Sequence, residues 1–392
     1  QIYRHGDQSG WERDETGLTL GDIPFYLAQP EAAGATDSLL VSAQSPSGEP
    51  MLIERQAQAV AAKARRLVRL QTWAPAQQRL VAMVYNYPAG GSNFGASFLN
   101  VPRSLERVST GLAQAGYQTE PVPEQAWIDG LKPLLAAYYP GADLRGLLAR
   151  NQAEALPLQD YLDWFERLPR DVRERILSHW GLPEQSRYLV EWQGQQVFVI
   201  PRLQQGQLSV LPQPPREETL HLGQDPFTHR SKIPLSHHYL AVYRWAGQAD
   251  ALIHFGTHGT QEWAPGKARG LDVDDDALLP LASASDHLPV VYPYIVDNLG
   301  EALTAKRRGR ATLVSHRTPV FAPAGFNARM AQMHEIMHEW ETVDAGPTRK
   351  GLEQQLIAQF VEHQLHRDLG WTAAQIAADF NRSADTHLIR LD

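Results

Sequence analysis

The stretch Ala251-Leu-Ile-His-Phe-Gly-Thr-His-Gly-Thr-Gln-Glu-Trp-Ala-Pro-Gly-Lys267 begins as an apolar run and continues as a glycine-rich segment. The apolar run, which ends at Phe255, predicts a buried strand. Gly256, Gly259 and Pro265 then favour a loop or a short helical start over one continuous helix. The stretch therefore predicts a strand that opens into an irregular loop, which is the local pattern of an α/β sheet.

His254, His258 and Glu262 stand four residues apart in this stretch. Imidazole and carboxylate groups are preferred ligands of divalent transition metals, and three of them leave coordination positions open. Glycines beside them let the backbone approach a large ligand closely. We expect these three residues to be the metal ligands and the catalytic groups, with Glu262 as a ligand or as a general base. The alternative is a capped turn in which a histidine is hydrogen-bonded to the backbone.

The flanking sequence extends the same α/β pattern. Residues 79–85 predict a buried strand, which runs into a glycine-bearing loop at 86–95 and a helix that Pro102 opens. Further on, 236–245 predicts a helix before the 250–255 strand, and more strands follow at 290–296 and 311–315. Strands that alternate with helices predict a mainly parallel sheet with helical insertions and a helical C-terminal part. Ligands of such sheets bind beyond the carboxyl ends of the strands, so the two loops are expected to face one crevice.

Three regions follow from the patterning. Residues 1–75 read as an irregular lead-in with one helix at 55–71, which Trp73-Ala-Pro75 ends. Residues 76–320 form the α/β core, with a helical insertion at about 124–180. Residues 321–392 form the helical C-terminal part.

Composition excludes several classes of protein. The 392 residues contain no cysteine, so disulfides, thiolate metal sites and iron–sulfur clusters are excluded. The net charge of -8 gives no basic balance that would indicate nucleic-acid binding. No apolar run reaches the ~18 residues of a membrane-spanning helix. These features are typical of a cytoplasmic globular protein, and they predict no nucleic-acid partner and no membrane span.

The 253–267 segment closely resembles the signature of the large subunit of cobaltochelatase (CobN-type), and a variant of the signature marks the magnesium chelatase H subunit. Four other segments resemble the same family in order and spacing, so that the likeness covers about residues 79–316. They are Asn86-Tyr-Pro88 with Gly95, Pro102 and Ser104; 207–216, which contains Gln-Pro-Pro-Arg; 234–241, which contains His-His-Tyr; and 292–301 with Ala305-Lys-Arg-Arg308.

This resemblance implies a chain that binds a tetrapyrrole and a metal and inserts the metal into the ring, as a ligase that forms nitrogen–metal bonds. ATP hydrolysis is supplied by AAA+ partner subunits. In the cobalt enzymes the substrates are Co²⁺ and hydrogenobyrinic acid a,c-diamide. Trp263 and the Gln-Pro-Pro-Arg sequence favour the cobalt branch over insertion of Mg²⁺ into protoporphyrin IX. A tetrapyrrole-binding module without turnover is a further alternative.

Seven residues near these motifs are expected to contact the substrate. Lys267, Arg307 and Arg308 are suited to pair with peripheral carboxylates of the ring, although a solvated helix face is the alternative for the basic run. The others are Asn86, Tyr87, His238 and Glu301. Turn chemistry explains Asn86 equally well, Glu301 could belong to a helix cap, and one of His237 and His238 is expected to be structural.

A competing signal lies further along the chain. His334-Glu-Ile-Met-His338 matches the H-E-x-x-H pattern of zinc peptidases on a predicted helix. No third ligand is evident at suitable spacing, and the surrounding helix reads as surface. The Gly259–Lys267 spacing does not fit a phosphate-binding loop, so no ATP binding by this chain is predicted.

Overall fold

In the computed structural model of this chain the described residues are 2–3, 5–85, 99–216, 232–256, 259–283, 286–294, 299–315, 328–343, 346–368, 371–372 and 374–376. The chain divides into two compact units, residues 1–317 and residues 318–392. The predictions for Asn86, Tyr87 and His258 lie outside the described residues.

Strands of the described part all belong to the first unit. They are β1 (Ile2–Tyr3), β2 (Ser42–Gln44), β3 (Pro50–Leu52), β4 (Leu80–Val84), β5 (Ala153–Pro157), β6 (Leu189–Trp192), β7 (Gln195–Pro201), β8 (Leu203–Gln205), β9 (Leu208–Pro212), β10 (Ala251–Phe255), β11 (Ala282–Ser283), β12 (Asp286–His287), β13 (Val290–Tyr294) and β14 (Ala311–Ser315).

The described α-helices are α1 (Gln8–Arg13), α2 (Gln29–Ala32), α3 (Glu54–Thr72), α4 (Val101–Gln114), α5 (Glu124–Ala136), α6 (Leu144–Ala149), α7 (Leu158–Phe165), α8 (Arg170–Trp180), α9 (His237–Ala246), α10 (Leu299–Arg307), α11 (Ala328–Thr342), α12 (Pro347–Glu362) and α13 (Leu365–Asp368). The α/β class predicted from the sequence is confirmed.

A six-stranded sheet forms the centre of the first unit, in the order β14-β13-β10-β4-β9-β8. Its neighbouring strands from β14 to β9 are parallel, and only β8 runs antiparallel, against β9. The strands that lead into the two glycine-bearing loops are direct neighbours, since β10 pairs with β4 from Ala251↔Leu80 to Phe255↔Val84. Both strands therefore end at the same edge of the sheet.

Each face of this sheet carries its own core, which is why β4 and β9 are mainly apolar and are buried along their whole length. Because side chains alternate along a strand, Leu252 and His254 of β10 point to one face and Ala251 and Phe255 to the other. On the first face, Leu252 packs in one core with α9 and β13. On the second face, α4 and α5 cover the sheet. His254 therefore lies on the face that α9 covers.

Helix α9 begins where the sequence predicts. Ser236 is its N-cap, and the Ser236 Oγ accepts a hydrogen bond from the Tyr239 N–H at 3.2 Å. Eight of its ten residues are buried. The long helix predicted at 55–71 is confirmed as α3, and it ends at Thr72 before Trp73.

The lead-in of residues 1–75 belongs to the same compact unit as the sheet. Its Trp11 is fully buried, and the Trp11 indole N–H donates to the Gly270 carbonyl at 3.1 Å. The Gln56 amide donates to the Leu271 carbonyl at 2.9 Å. The lead-in thus packs against the segment that directly follows the glycine-rich loop.

Two local features go beyond the sequence pattern. The insertion at 124–180 is mainly helical, as predicted, and it also contains strand β5, which pairs with β7 in a separate antiparallel sheet. Strand β13 lies between β10 and β14 and not at an edge, although it contains Pro293. The described pairing of β13 with β10 covers only Val290 and Val291, so the proline, which has no N–H, pairs with β14 alone.

The second unit is helical in its described part, as predicted. Ile336 of α11 packs with Leu352 and Leu356 of α12, and Met333, Met337 and Trp340 border this small core. Within the described residues, no helix is long and apolar enough to cross a membrane.

Candidate functional site

His254 is buried near the end of β10 with one ring nitrogen paired. It is 2% exposed, and its Nε2 lies 3.1 Å from the Tyr243 hydroxyl. Its Nδ1 is buried and has no hydrogen-bond partner among the described residues. Burial lowers the pKa of His254 to about 3, so the ring is neutral at physiological pH. A neutral imidazole with an unpartnered nitrogen is the form that coordinates a metal.

Glu262 lies in a short 3-10 turn, Gln261–Trp263, directly after the loop. It is 0% exposed, and its Oε1 accepts hydrogen bonds from the Gly259 N–H at 2.8 Å and the Tyr292 hydroxyl at 3.1 Å. A carboxylate is costly to bury, so two donors on one oxygen offset part of that cost. The turn therefore holds the acidic group inside the protein.

Tyr292 brings His254 and Glu262 to one place. Its hydroxyl donates to Glu262, and its ring meets the His254 ring edge-on with centroids 5.1 Å apart. On the other side of His254, the Tyr243 hydroxyl accepts from the Gln213 amide at 2.6 Å. The geometry therefore joins two of the three predicted metal ligands through tyrosines that the motif itself does not contain.

Gln213 closes this arrangement from the end of β9. Its Oε1 accepts from the Thr260 N–H at 3.1 Å, and the Thr260 hydroxyl lies 2.9 Å from that of Tyr239. We name the whole group the tyrosine cluster, and it consists of Gln213, Tyr239, Tyr243, His254, Thr260, Glu262 and Tyr292. Burial is the largest cause that raises the pKa of Tyr239, Tyr243 and Tyr292, so the three hydroxyls stay protonated.

Gly259 is required by the close packing of this cluster. A Cβ at this position would lie 2.7 Å from the Tyr292 hydroxyl and 2.8 Å from the Gln213 Oε1. We expect Gly259→Ala to lower the free energy of unfolding by about 1–3 kcal/mol, as overpacking does, and to weaken any ligand bound at the cluster. Urea unfolding of the two proteins measures the first effect. Gly111→Ala is the matched control, because a Cβ there meets nothing within 4 Å.

The basic residues predicted to bind substrate have protein partners. Lys267 Nζ donates to the backbone carbonyls of Glu12 at 2.9 Å and Asp14 at 3.0 Å. Arg307 forms a bidentate pair with Glu31 at 3.0 and 2.7 Å.

Arg308 holds the glycine-rich loop itself. Its guanidinium donates to the carbonyls of Glu262 at 2.8 Å, of Ala264 at 2.6 Å and of Lys267. These contacts give Arg308 a positioning role behind the loop, which differs from the expected pairing with ring carboxylates. The other alternative from the sequence, a solvated helix face, does not describe Arg308 either, because its guanidinium is bound to these three carbonyls.

His238 lies in another part of the core. It is 1% exposed, its Nε2 lies 3.0 Å from the Val199 carbonyl, and its ring stacks on Tyr188 with centroids 3.7 Å apart. Burial lowers the pKa of His238 to about 3. Its neighbour His237 is also structural, with Nδ1 2.8 Å from the Tyr161 hydroxyl. Both histidines therefore stabilise packing around α9, whereas only one was expected to.

Two predicted site residues remain. Glu301 lies in the first turn of α10. His258 lies outside the described residues, and among the described ones no group of three or more histidine, aspartate and glutamate side chains is arranged to hold a metal. The three-ligand site therefore stays a prediction, of which the structure places two members.

The comparisons with known proteins show the family. The sequence model of the CobN/Magnesium Chelatase family matches residues 1–391, and the chain belongs to this family. It is 29% identical over 380 residues to the aerobic cobaltochelatase subunit CobN of Pseudomonas aeruginosa, which covers 92% of this chain and 29% of that protein. It is 28% identical to the magnesium-chelatase H subunit of Chlorobaculum parvum, over 85% of this chain and 25% of that protein.

A solved structure shows the same architecture. The catalytic subunit of cobaltochelatase from Mycobacterium tuberculosis matches with a TM-score of 0.64 and 28% identity, over 94% of this chain and 31% of that one. The chain thus spans less than a third of the length of these relatives.

Proposed function

We propose that this chain is the tetrapyrrole- and metal-binding part of the large subunit of an ATP-dependent chelatase in the cytoplasm. Its reaction is the insertion of Co²⁺ into hydrogenobyrinic acid a,c-diamide in cobalamin biosynthesis. The supports are the family and the relatives named cobaltochelatase. The observation that carries the proposal is the buried Nδ1 of His254, which has no partner in the described part of the chain and lies in one cluster with Glu262.

His254 would bind the incoming metal through Nδ1. This role needs the tautomer that carries the proton on Nε2. The Tyr243 hydroxyl oxygen lies where it can accept a hydrogen bond from that Nε2–H. An outer partner of this kind fixes the orientation of a ligating imidazole. Because burial keeps the ring neutral, no proton has to leave before the metal binds.

Glu262, beside His254, would serve as a metal ligand or as the base that accepts ring protons. Insertion requires the ion to lose water ligands and the macrocycle to lose its inner N–H protons, one from a corrin ring or two from a porphyrin. A carboxylate held inside the protein can coordinate the ion or accept a proton from the ring. His258 is proposed as the second imidazole ligand. AAA+ partner subunits would supply ATP hydrolysis for the uphill steps.

The choice of metal follows from the ligand type. Imidazole suits transition metals such as Co²⁺, whereas Mg²⁺ prefers oxygen ligands. A buried histidine at the centre of the site therefore favours cobalt. Insertion of Mg²⁺ into protoporphyrin IX is the second candidate, because a relative of comparable identity is named as the H subunit of magnesium chelatase.

Insertion by the assembled enzyme tests the proposal. With AAA+ partner subunits, ATP, Co²⁺ and hydrogenobyrinic acid a,c-diamide, we expect the absorption spectrum of the ring to change to that of its cobalt complex. Mg²⁺ with protoporphyrin IX is the parallel reaction, and we expect no turnover there. Tight ring binding without insertion in either reaction would reduce the chain to a carrier of tetrapyrroles.

A further inference from the structure

Two histidines of the second unit meet on one face of a helix. His334 and His338 are four residues apart in α11, and this spacing places side chains one turn above each other. Their Nε2 atoms are 3.0 Å apart, and the rings meet edge-on with centroids 4.3 Å apart. The motif that suggested a peptidase therefore does form an imidazole pair.

The opposite side of α11 fixes the position of this pair. Ile336 is buried against Leu352 and Leu356 of α12, and Met333 and Trp340 pack beside it. At 100° per residue, these positions lie roughly opposite the two histidines on the helix. The apolar side thus anchors the helix, and it leaves His338 at the exposed surface.

The separation of the two nitrogens fits a shared metal ion. Metal–imidazole bonds of about 2.0–2.1 Å with bond angles of about 90–109° place two ligating nitrogens about 2.9–3.3 Å apart. The observed 3.0 Å lies within that interval. A pair that is already at this distance loses little freedom when it binds, because the helix has fixed both backbones.

We propose that His334 and His338 chelate one divalent transition metal, of the class of Co²⁺, Ni²⁺ or Zn²⁺. Mg²⁺ is not expected, because it prefers oxygen ligands. A peptidase centre is not supported, since no third ligating side chain joins the pair among the described residues. The pair belongs to the second unit and the tyrosine cluster to the first, so the inference adds to the proposed function and does not depend on it.

Calorimetric titration of the full chain with Ni²⁺ alone, at neutral pH, tests this site. We expect His334→Ala and His338→Ala each to remove one bound ion per chain at micromolar metal, because loss of one of two linked ligands weakens binding about a hundredfold. His179→Ala, which removes an exposed histidine of α8, is the matched control and should leave the titration unchanged. Circular dichroism confirms that the helices remain.

One alternative explains the same distance. An N–H of one imidazole can donate to the nitrogen of the other, and such a pair needs no metal. If His338→Ala and His334→Ala bind Ni²⁺ as the wild type does, the pair is only a hydrogen bond and the proposal is refuted. His254→Gln distinguishes the two sites, since it acts on the tyrosine cluster and should leave the α11 ion in place.

Discussion

Replacing His254 by glutamine is expected to abolish metal insertion and to weaken Co²⁺ binding at the tyrosine cluster by about a hundredfold, since one of a set of linked ligands is lost. The glutamine amide can reach the position of Nε2 and keep a hydrogen bond to Tyr243, so the cluster and the fold should persist. Nothing then occupies the position of Nδ1. The d–d absorption bands of bound Co²⁺ measure the affinity, and ring metallation in the assembled enzyme measures the activity.

Two further variants distinguish the roles of the two ring nitrogens of His254. His254→Asn places a polar atom near Nδ1 and should retain more Co²⁺ affinity than the glutamine variant, even though it loses the contact with Tyr243. Tyr243→Phe keeps Nδ1 and removes only its outer partner, so about a 10- to 100-fold loss of affinity is expected. Wild-type Co²⁺ binding by His254→Gln would show that Nδ1 does not ligate the metal, whatever the family of the protein.

Much of the central sheet follows from sequence because its strands are continuous apolar runs. The apolar runs within 79–85 and 250–255 are the largely buried parallel strands β4 and β10, and 311–315 is the edge strand β14, in which Ala311 is buried and Val314 exposed. The helix at α9 is equally predictable, since Ser236 is a good N-cap. Strand β5 is missed because its Ala-Glu-Ala-Leu-Pro sequence has low strand propensity and depends on pairing with β7.

The partners of the basic residues cannot be predicted from the local sequence pattern. Lys267 and Arg307 read as free charges because nothing near them in sequence is acidic at a suitable spacing. Their partners lie some 250–280 residues earlier in the lead-in, and they are the backbone carbonyls of Glu12 and Asp14 for Lys267 and the carboxylate of Glu31 for Arg307. Such pairing depends on the tertiary packing of a segment with few periodic signals, so the sequence offers no means of predicting it.

The tyrosines of the site were missed for a related reason. Tyr239, Tyr243 and Tyr292 occupy positions where an apolar core residue would fit equally well, and their rings do pack in the core. Only the three-dimensional arrangement shows that their hydroxyls point at His254, Thr260 and Glu262. A signal was present, however, since Gln213, Tyr239 and Tyr292 lie within the segments that resemble the family.

Replacing Glu262 by glutamine is expected to slow metal insertion by about 10²- to 10⁴-fold, the range for loss of a general base. The glutamine carbonyl oxygen can still accept from the Gly259 N–H and the Tyr292 hydroxyl, which Oε1 does in the wild type. The turn should therefore keep its shape, while the negative charge and the second ligating oxygen disappear. Single-turnover metallation of the ring in the assembled enzyme is the measurement.

The matched control for Glu262→Gln is Glu191→Gln, which removes an exposed carboxylate of β6 and should leave the rate unchanged. Co²⁺ affinity then distinguishes the two roles. A base that only accepts pyrrole protons would leave affinity unchanged and lower the rate, whereas a ligand would lower both. An unchanged rate in a folded Glu262→Gln protein would contradict either role, because both roles need the negative charge that this variant removes. The buried carboxylate, which costs stability, would then need another explanation for its place beside His254.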